Sequence, residues 1–137
     1  MPLITIPYHL ALPCFISLFL ILIIWVKQKT LFNRRKWFWI SITAFLSTYS
    51  FLLISVIYLN NYYYWNLQSF DLDKNGFFST IERTPEQLKA MTLVASDTAR
   101  NFAFITGLIY AFIIAIMTYI GGKIFEIFKK RSIREKR

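Results

Sequence analysis

The chain has 137 residues, 56% of them hydrophobic, with a mean hydropathy of +0.46 and a formal net charge of +9. This length allows one domain, and the apolar content is too high for an ordinary globular protein of this size. These values exclude a conventional soluble domain and indicate a chain whose solvent is largely lipid.

Three segments are apolar and uncharged over a length that can cross a bilayer, approximately residues 7–26, 37–59 and 102–120. A hydrocarbon core about 30 Å thick requires roughly 20 such residues per helix. The first segment is expected to be a mature helix and not a signal peptide, because no basic residue precedes it and no small-residue cleavage site follows. The predicted fold class is therefore all-α, with three transmembrane helices.

Lysine and arginine cluster at two of the predicted membrane boundaries. Five of these bases lie in the connection 27–36, and six lie in the tail 128–137. Short segments rich in Lys and Arg stay in the cytoplasm. We therefore expect an integral protein of a plasma or inner membrane, with the N-terminus and segment 60–101 outside and the basic C-terminal tail in the cytoplasm.

The positive charge could also suggest a nucleic-acid partner, since clustered bases neutralise phosphates. Here, however, nearly all of it lies beside predicted membrane boundaries, where it contacts anionic headgroups and fixes the topology. The expected partner is thus membrane lipid and not nucleic acid. The single cysteine, Cys14, lies within the first predicted span, so no intrachain disulfide can form.

Segment 69–82 is the one polar passage with a chemical signature, and it reads SFDLDKNGFFSTIE. It contains Asp-x-Asp-x-Asn-Gly followed by five residues and Glu, which is the pattern of an EF-hand calcium loop. Over residues 71–82 the sequence therefore resembles the EF-hand family. An ordinary surface turn also uses Asp, Asn and Gly, but Asp71 and the correctly spaced Glu82 favour a metal site.

The resemblance implies a Ca²⁺ site whose oxygen ligands come from one short loop. Gly76 would take the sharp turn that a Cβ would resist. The implied ligands are side-chain oxygens of Asp71, Asp73 and Asn75, the backbone carbonyl of Phe77, Ser79 directly or through water, and both carboxylate oxygens of Glu82.

After the loop, Pro85 interrupts the helix that normally leaves an EF-hand site. The sequence at 84–87 is Thr-Pro-Glu-Gln, which is typical of a new helix N-terminus with Thr84 as N-cap and Gln87 completing a capping box. A helix is predicted from about Pro85 into the third span. Just outside that span, Asp97 and Arg100 have the spacing of an i,i+3 ion pair.

Small residues recur every four positions along the third span: Ala95, Ala99, Ala103, Gly107, Ala111 and Ala115. This spacing forms a ridge on one helix face, and small residues let helix backbones approach closely in membranes. The ridge could pack against the first two spans. Alternatively, the part formed by Ala99, Ala103, Gly107, Ala111 and Ala115 could contact a second copy or another membrane protein. The following Gly121-Gly122 pair is read as a flexible or a close-packing point.

Catalytic patterns are missing from the sequence: it contains no Ser/His/Asp set, no Cys-x-x-Cys pair and no phosphate-binding glycine loop. We expect a non-enzymatic, calcium-binding integral membrane protein whose external loop stabilises or regulates a membrane complex. The alternative is a subunit of a channel or transporter with a calcium-responsive loop. Three spans without an internal charge do not favour an ion pathway made by this chain alone.

The predicted orientation can be tested by placing a single cysteine on each side of the membrane. We expect a membrane-impermeant thiol reagent to label Lys74→Cys from outside, and Lys130→Cys only after the membrane is opened, because the basic segments hold the tail inside. Cys14, within the first predicted span, serves as the unlabelled background. The reverse labelling pattern would overturn the orientation.

Overall fold

A computed structural model describes residues 7–79 and 83–135, and helix is the regular secondary structure found in these two ranges. Three of the helices are long and apolar enough to cross a membrane. The predicted all-α fold class with three long apolar helices is therefore confirmed, and these helices indicate a membrane-embedded protein.

The first two long helices are joined without a loop. The helical run Tyr8–Gln68 is broken only at Arg35, whose torsions are φ −145° and ψ 68°. The two parts are α1 (Tyr8–Asn33) and α2 (Arg35–Gln68). The basic connection predicted between the first two spans is thus mostly helical, and the chain reverses direction around Arg35.

Two short helices and a third long helix follow. They are α3 (Pro85–Ala95), α4 (Thr98–Asn101) and α5 (Ala103–Glu135). Both α3 and α5 pack against the α1–α2 hairpin, and the contact with α5 is the larger one. The three predicted spans fall on α1, α2 and α5. The architecture is therefore a bundle of three long helices with α3 and α4 at one end.

The second helix is longer than a bilayer requires. It has 34 residues, so at 1.5 Å per residue it is about 50 Å long, against a hydrocarbon core of about 30 Å. The predicted span ends at Leu59, whereas α2 continues to Gln68. The segment predicted to bind calcium, residues 71–82, therefore starts three residues after the end of α2.

The core of the bundle joins α1, α2 and α5 through a small cluster of buried side chains: Leu10, Cys14, Tyr49, Leu53, Ala103 and Ala111. The hydroxyl of Tyr49 donates to the backbone oxygen of Phe104 at 3.2 Å, which ties α2 to α5. Between α1 and α2, the buried hydroxyls of Ser17 and Ser50 are hydrogen bonded at 2.7 Å. Polar groups between the helices thus pair with one another, as an apolar surrounding requires.

The small-residue ridge of α5 is used within the chain itself. Ala103, Gly107 and Ala111 are buried, and a Cβ built on Gly107 would lie 3.4 Å from the ring of Tyr49 on α2. Ala115 is half-buried, and Ala99 is exposed. The ridge therefore packs α5 against the first two helices. A homo-oligomer or a partner protein on this face stays a prediction.

The two adjacent glycines near the middle of α5 have opposite surroundings. A Cβ on Gly122 would overlap the ring of Trp37 at the start of α2, whereas a Cβ on Gly121 would meet nothing within 4 Å. The edge of Phe125 also contacts Trp37, with the ring centroids 6.3 Å apart. Of the two alternatives, close packing therefore applies to Gly122, and both glycines lie inside a continuous helix.

This contrast yields a matched pair of substitutions. Gly122→Ala should lower the free energy of unfolding by about 1–3 kcal/mol, because the Trp37 ring must move to admit the methyl group. Gly121→Ala should be neutral or stabilising by up to about 1 kcal/mol, since alanine favours a helix. Unfolding of the two variants in detergent measures the difference. Equal stabilities would contradict the close contact between α2 and α5 at this point.

Candidate metal centre

The calcium-loop sequence begins where the last turn of α2 tightens. The N–H of Ser69 donates to the oxygen of Trp65 at 3.2 Å, and the N–H of Asp71 donates to the oxygen of Gln68 at 3.2 Å. The second bond spans three residues instead of four, which is typical of a helix end. Asp71 therefore lies immediately beyond the helix, at a position set by α2.

Two residues of the loop have left-handed backbone torsions. Lys74 has a φ of 58°, and Gly76 has a φ of 81°. Glycine adopts this region at no steric cost, whereas a residue with a Cβ does so less readily. The chain therefore turns sharply twice within three residues, and Gly76 occupies the position for which the sequence predicted a sharp turn.

The side chains of the first three predicted ligands accept hydrogen bonds from the loop's own backbone. Asp71 Oδ2 accepts from the N–H of Gly76 at 3.0 Å. Asp73 Oδ1 accepts from Asn75 at 3.2 Å, and Asn75 Oδ1 accepts from Phe77 at 2.7 Å. These bonds hold three side-chain acceptors along one short stretch of backbone. Asp71, Asp73 and Asn75, which the sequence predicted as ligands, are thus all hydrogen bonded within the loop itself.

One carboxylate oxygen in this stretch has no such partner. Asp71 Oδ1 is shielded from solvent, and within the described residues 7–79 and 83–135 no donor reaches it. A shielded polar atom without a hydrogen bond costs free energy, and the cost is larger when the group is charged. The first predicted ligand therefore has one oxygen held by Gly76 and a second that meets no hydrogen-bond donor among the described residues.

The remaining predicted ligands are described only in part. The side chain of Phe77 is 79% exposed, which is compatible with a role for its carbonyl alone. Ser79 is the last residue described before the gap, and Glu82 lies outside the described residues. The structure therefore leaves the closing carboxylate of the loop as a prediction.

In the described ranges no three His, Cys, Asp or Glu side chains come together as a metal site. Of these residue types, the loop contributes only Asp71 and Asp73 to those ranges. The third carboxylate that the sequence predicts, Glu82, lies outside the described residues.

The helix after the loop begins as predicted but ends earlier. Thr84 Oγ1 accepts from the N–H of Gln87 at 3.2 Å, which confirms the N-cap. The reciprocal half of the capping box is not formed: the Gln87 side chain is 1% exposed, and its amide atoms have no partner in the described chain. The extension into the third span is wrong, because α3 stops at Ala95.

Arg100 has a different role from the one its spacing predicted. Its guanidinium donates to the oxygens of Leu93 and Val94 at 2.9 and 3.0 Å, and lies 5.1 Å from the ring centroid of Tyr63 on α2. Asp97 instead accepts from Asn101 at 2.9 Å. The predicted pairing of Asp97 with Arg100 is therefore wrong, because the chain breaks between α3 and α4.

The contacts of Arg100 fix the geometry around the loop. The guanidinium caps the C-terminal carbonyls of α3 and stacks on α2, so it joins the helices on both sides of the loop. Sequence reasoning missed this role because the contact with Tyr63 is a tertiary one. The helix-breaking pair Ser96-Asp97 was the available signal, since these residue types favour caps and turns over helix interiors.

No family model, no curated protein and no solved structure matches this chain. The resemblance to an EF-hand loop therefore depends on residues 71–82 alone. A function for the chain has to be argued from its own residues and their contacts.

The role of Arg100 can be tested by removing its charge and hydrogen bonds. Arg100→Met should destabilise the folded protein by about 2 kcal/mol, because two charge-assisted hydrogen bonds and one cation–π contact are lost. Lys89→Met on the exposed face of α3 is the control, and we expect almost no change there. Thermal unfolding and proteolysis of segment 83–101 measure the effect. Equal behaviour of the two variants would contradict the assigned contacts.

Proposed function

We propose that this chain is a non-enzymatic, calcium-binding integral membrane protein whose external EF-hand-like loop stabilises or regulates a membrane complex. The observation that most supports the proposal is Asp71 Oδ1, which is shielded from solvent and meets no donor in the described residues. A bound cation would supply the missing positive partner. The bond from Gly76 to the other oxygen of Asp71 orients the carboxylate for that role.

The donor set of the loop suits calcium. Ca²⁺ takes six to eight hard oxygen ligands at about 2.3–2.6 Å and tolerates irregular geometry. Under the proposal, Asp71, Asp73 and Asn75 bind through side-chain oxygens, Phe77 through its carbonyl, and Ser79 and Glu82 complete the set. Three carboxylates beside the single base Lys74 repel one another, and a divalent cation offsets this repulsion.

The site would act on the membrane helices through the two ends of the loop. Its first ligand, Asp71, follows directly on α2, and its last ligand, Glu82, precedes the N-cap of α3 by two residues. Calcium would therefore fix the distance between the end of α2 and the start of α3. Because α3 packs on the hairpin, this change would reach any partner that contacts the outer end of the bundle.

A subunit of a channel or transporter is the alternative proposal. The polar contact described between α1 and α2 is the Ser17–Ser50 pair, and both hydroxyls are buried and hydrogen bonded. Ion pathways need a polar or charged lining. A pore would therefore have to be formed together with other chains, and a flux assay on liposomes containing only this protein would distinguish the two proposals.

The calcium proposal predicts a specific stabilisation. A ligand that binds only the folded state adds RT ln(1 + [L]/Kd), so ~10 mM Ca²⁺ over a Kd of ~10⁻³ M should stabilise wild type by about 1.4 kcal/mol. Asp71→Ala and Glu82→Gln should abolish this gain, because each removes carboxylate ligands. The readout is detergent-phase unfolding with and without Ca²⁺, together with protection of segment 70–83 from proteolysis.

Matched controls separate ligand loss from general damage. Glu86→Gln repeats the Glu82→Gln change four residues later, on the exposed first turn of α3, and Asp97→Ala repeats the Asp71→Ala change outside the loop. Both controls should keep the calcium-dependent gain. If several millimolar Ca²⁺ changes neither the unfolding nor the proteolysis of wild type, the loop is an ordinary surface turn and the proposal is wrong.

A further inference from the structure

A groove lies between α2 and α5. It has a volume of about 640 Å³ and is lined by four residues from each helix: Phe38, Ser41, Ile42, Phe45, Phe112, Ala115, Ile116 and Tyr119. The hydroxyl of Ser41 donates a hydrogen bond to the backbone oxygen of Phe38 on the same helix. The wall of the groove is therefore almost entirely apolar.

The groove exists because α2 and α5 approach closely at two other levels. Gly107 contacts Tyr49 toward the loop end, and Gly122 contacts Trp37 toward the basic end. Between these contacts the two helices leave a gap. Phe38 and Phe112 are 42% and 61% exposed, so the groove opens to the surroundings of the bundle, which in a membrane are lipid chains.

Basic side chains stand at one end of this groove. Lys36 and Lys123 are the chain neighbours of Trp37 and Gly122, so the contact between these two residues holds both lysines at the same level. Both lysines are exposed, and the Nζ of Lys36 lies 5.8 Å from the centroid of the Trp37 ring. The groove is therefore apolar along its length. The two lysines lie beyond the end formed by Phe38 and Tyr119, which is the mouth of the groove.

The nearby acid does not cancel this charge. Glu126 lies 3.8 Å from the Nζ of Lys123 and 3.1 Å from that of Lys130, so its shorter contact is with Lys130. Lys36 has no carboxylate partner among the described residues. At least one full positive charge and part of a second thus remain at the mouth of the groove.

We propose that this groove binds one anionic phospholipid, with an acyl chain between α2 and α5 and the headgroup phosphate at Lys36 and Lys123. Lipid chains are as apolar as the groove wall, so the groove alone does not select among lipids. Selectivity has to come from the two lysines, because basic residues between membrane helices attract anionic headgroups. The proposal is independent of calcium binding at the opposite end.

A second copy of the chain fits the groove less well than a lipid does. Copies inserted in the same orientation would bring Lys36 and Lys123 of one chain to the level of the same residues in the other. The positive charges of the two copies would then face one another and repel. An anionic lipid instead matches both features of the site, since its chains are apolar and its phosphate is negative.

Native mass spectrometry of the full-length protein in a neutral detergent tests the proposal. The micelle lacks the negative surface of a membrane, so general attraction to the basic tail is removed. Wild type should retain phosphatidylglycerol in preference to phosphatidylcholine with the same acyl chains. Lys36→Gln with Lys123→Gln should lower that preference roughly 25-fold, from about fivefold for each of the two lysines.

Two controls complete the experiment. Lys129→Gln with Arg131→Gln removes the same charge farther along α5 and should keep the preference. Ala115→Phe should fill the groove and lower retention of both lipids, whereas Ile114→Phe, outside the lining, should not. Equal losses in the two double variants, no preference in wild type, unchanged retention in Ala115→Phe, or a dimer that Ala115→Phe dissociates would each overturn the proposal.

Discussion

The close approach of α5 to α2 is the contact on which the rest of the bundle depends. Lipid surrounds these helices, so apolar side chains gain little by leaving one apolar environment for another, and packing contacts have to hold the helices together. Gly107 lets the backbone of α5 come near the Tyr49 ring, whose hydroxyl then reaches the oxygen of Phe104. At the other end, Gly122 admits the ring of Trp37 in the same way.

Much of this arrangement follows from the sequence because its causes are local or periodic. The three spans can be read from hydropathy, and the ridge through Ala103 and Gly107 from its four-residue spacing. The cap at Thr84 and the turn at Gly76 follow from the conformational preferences of single residues. These features can be predicted without knowing which residues lie opposite them in the bundle.

The features that the sequence did not predict depend on contacts between distant residues. The spacing allowed Arg100 to pair with Asp97. In the structure Arg100 instead donates hydrogen bonds to carbonyls of α3 and stacks on the ring of Tyr63. Gly121 and Gly122 are adjacent in the sequence, and the ring of Trp37 contacts only the second of them. The groove between α2 and α5 is likewise a property of the packed pair. No pattern within either helix alone marks it.

The two proposed sites lie at opposite ends of α2, and the packing of that helix limits how they could communicate. The helix α2 is about 50 Å long. Calcium binding at its loop end could affect its basic end only if α2 tilted or slid against α5. The contacts at Tyr49 and Trp37 lie 12 residues apart along α2 and restrict both movements, because each places a ring against a glycine. If calcium binds at the proposed site, the parts that can respond to it are therefore α3, α4 and the link through Arg100, so regulation by the loop would act at the loop end of the bundle.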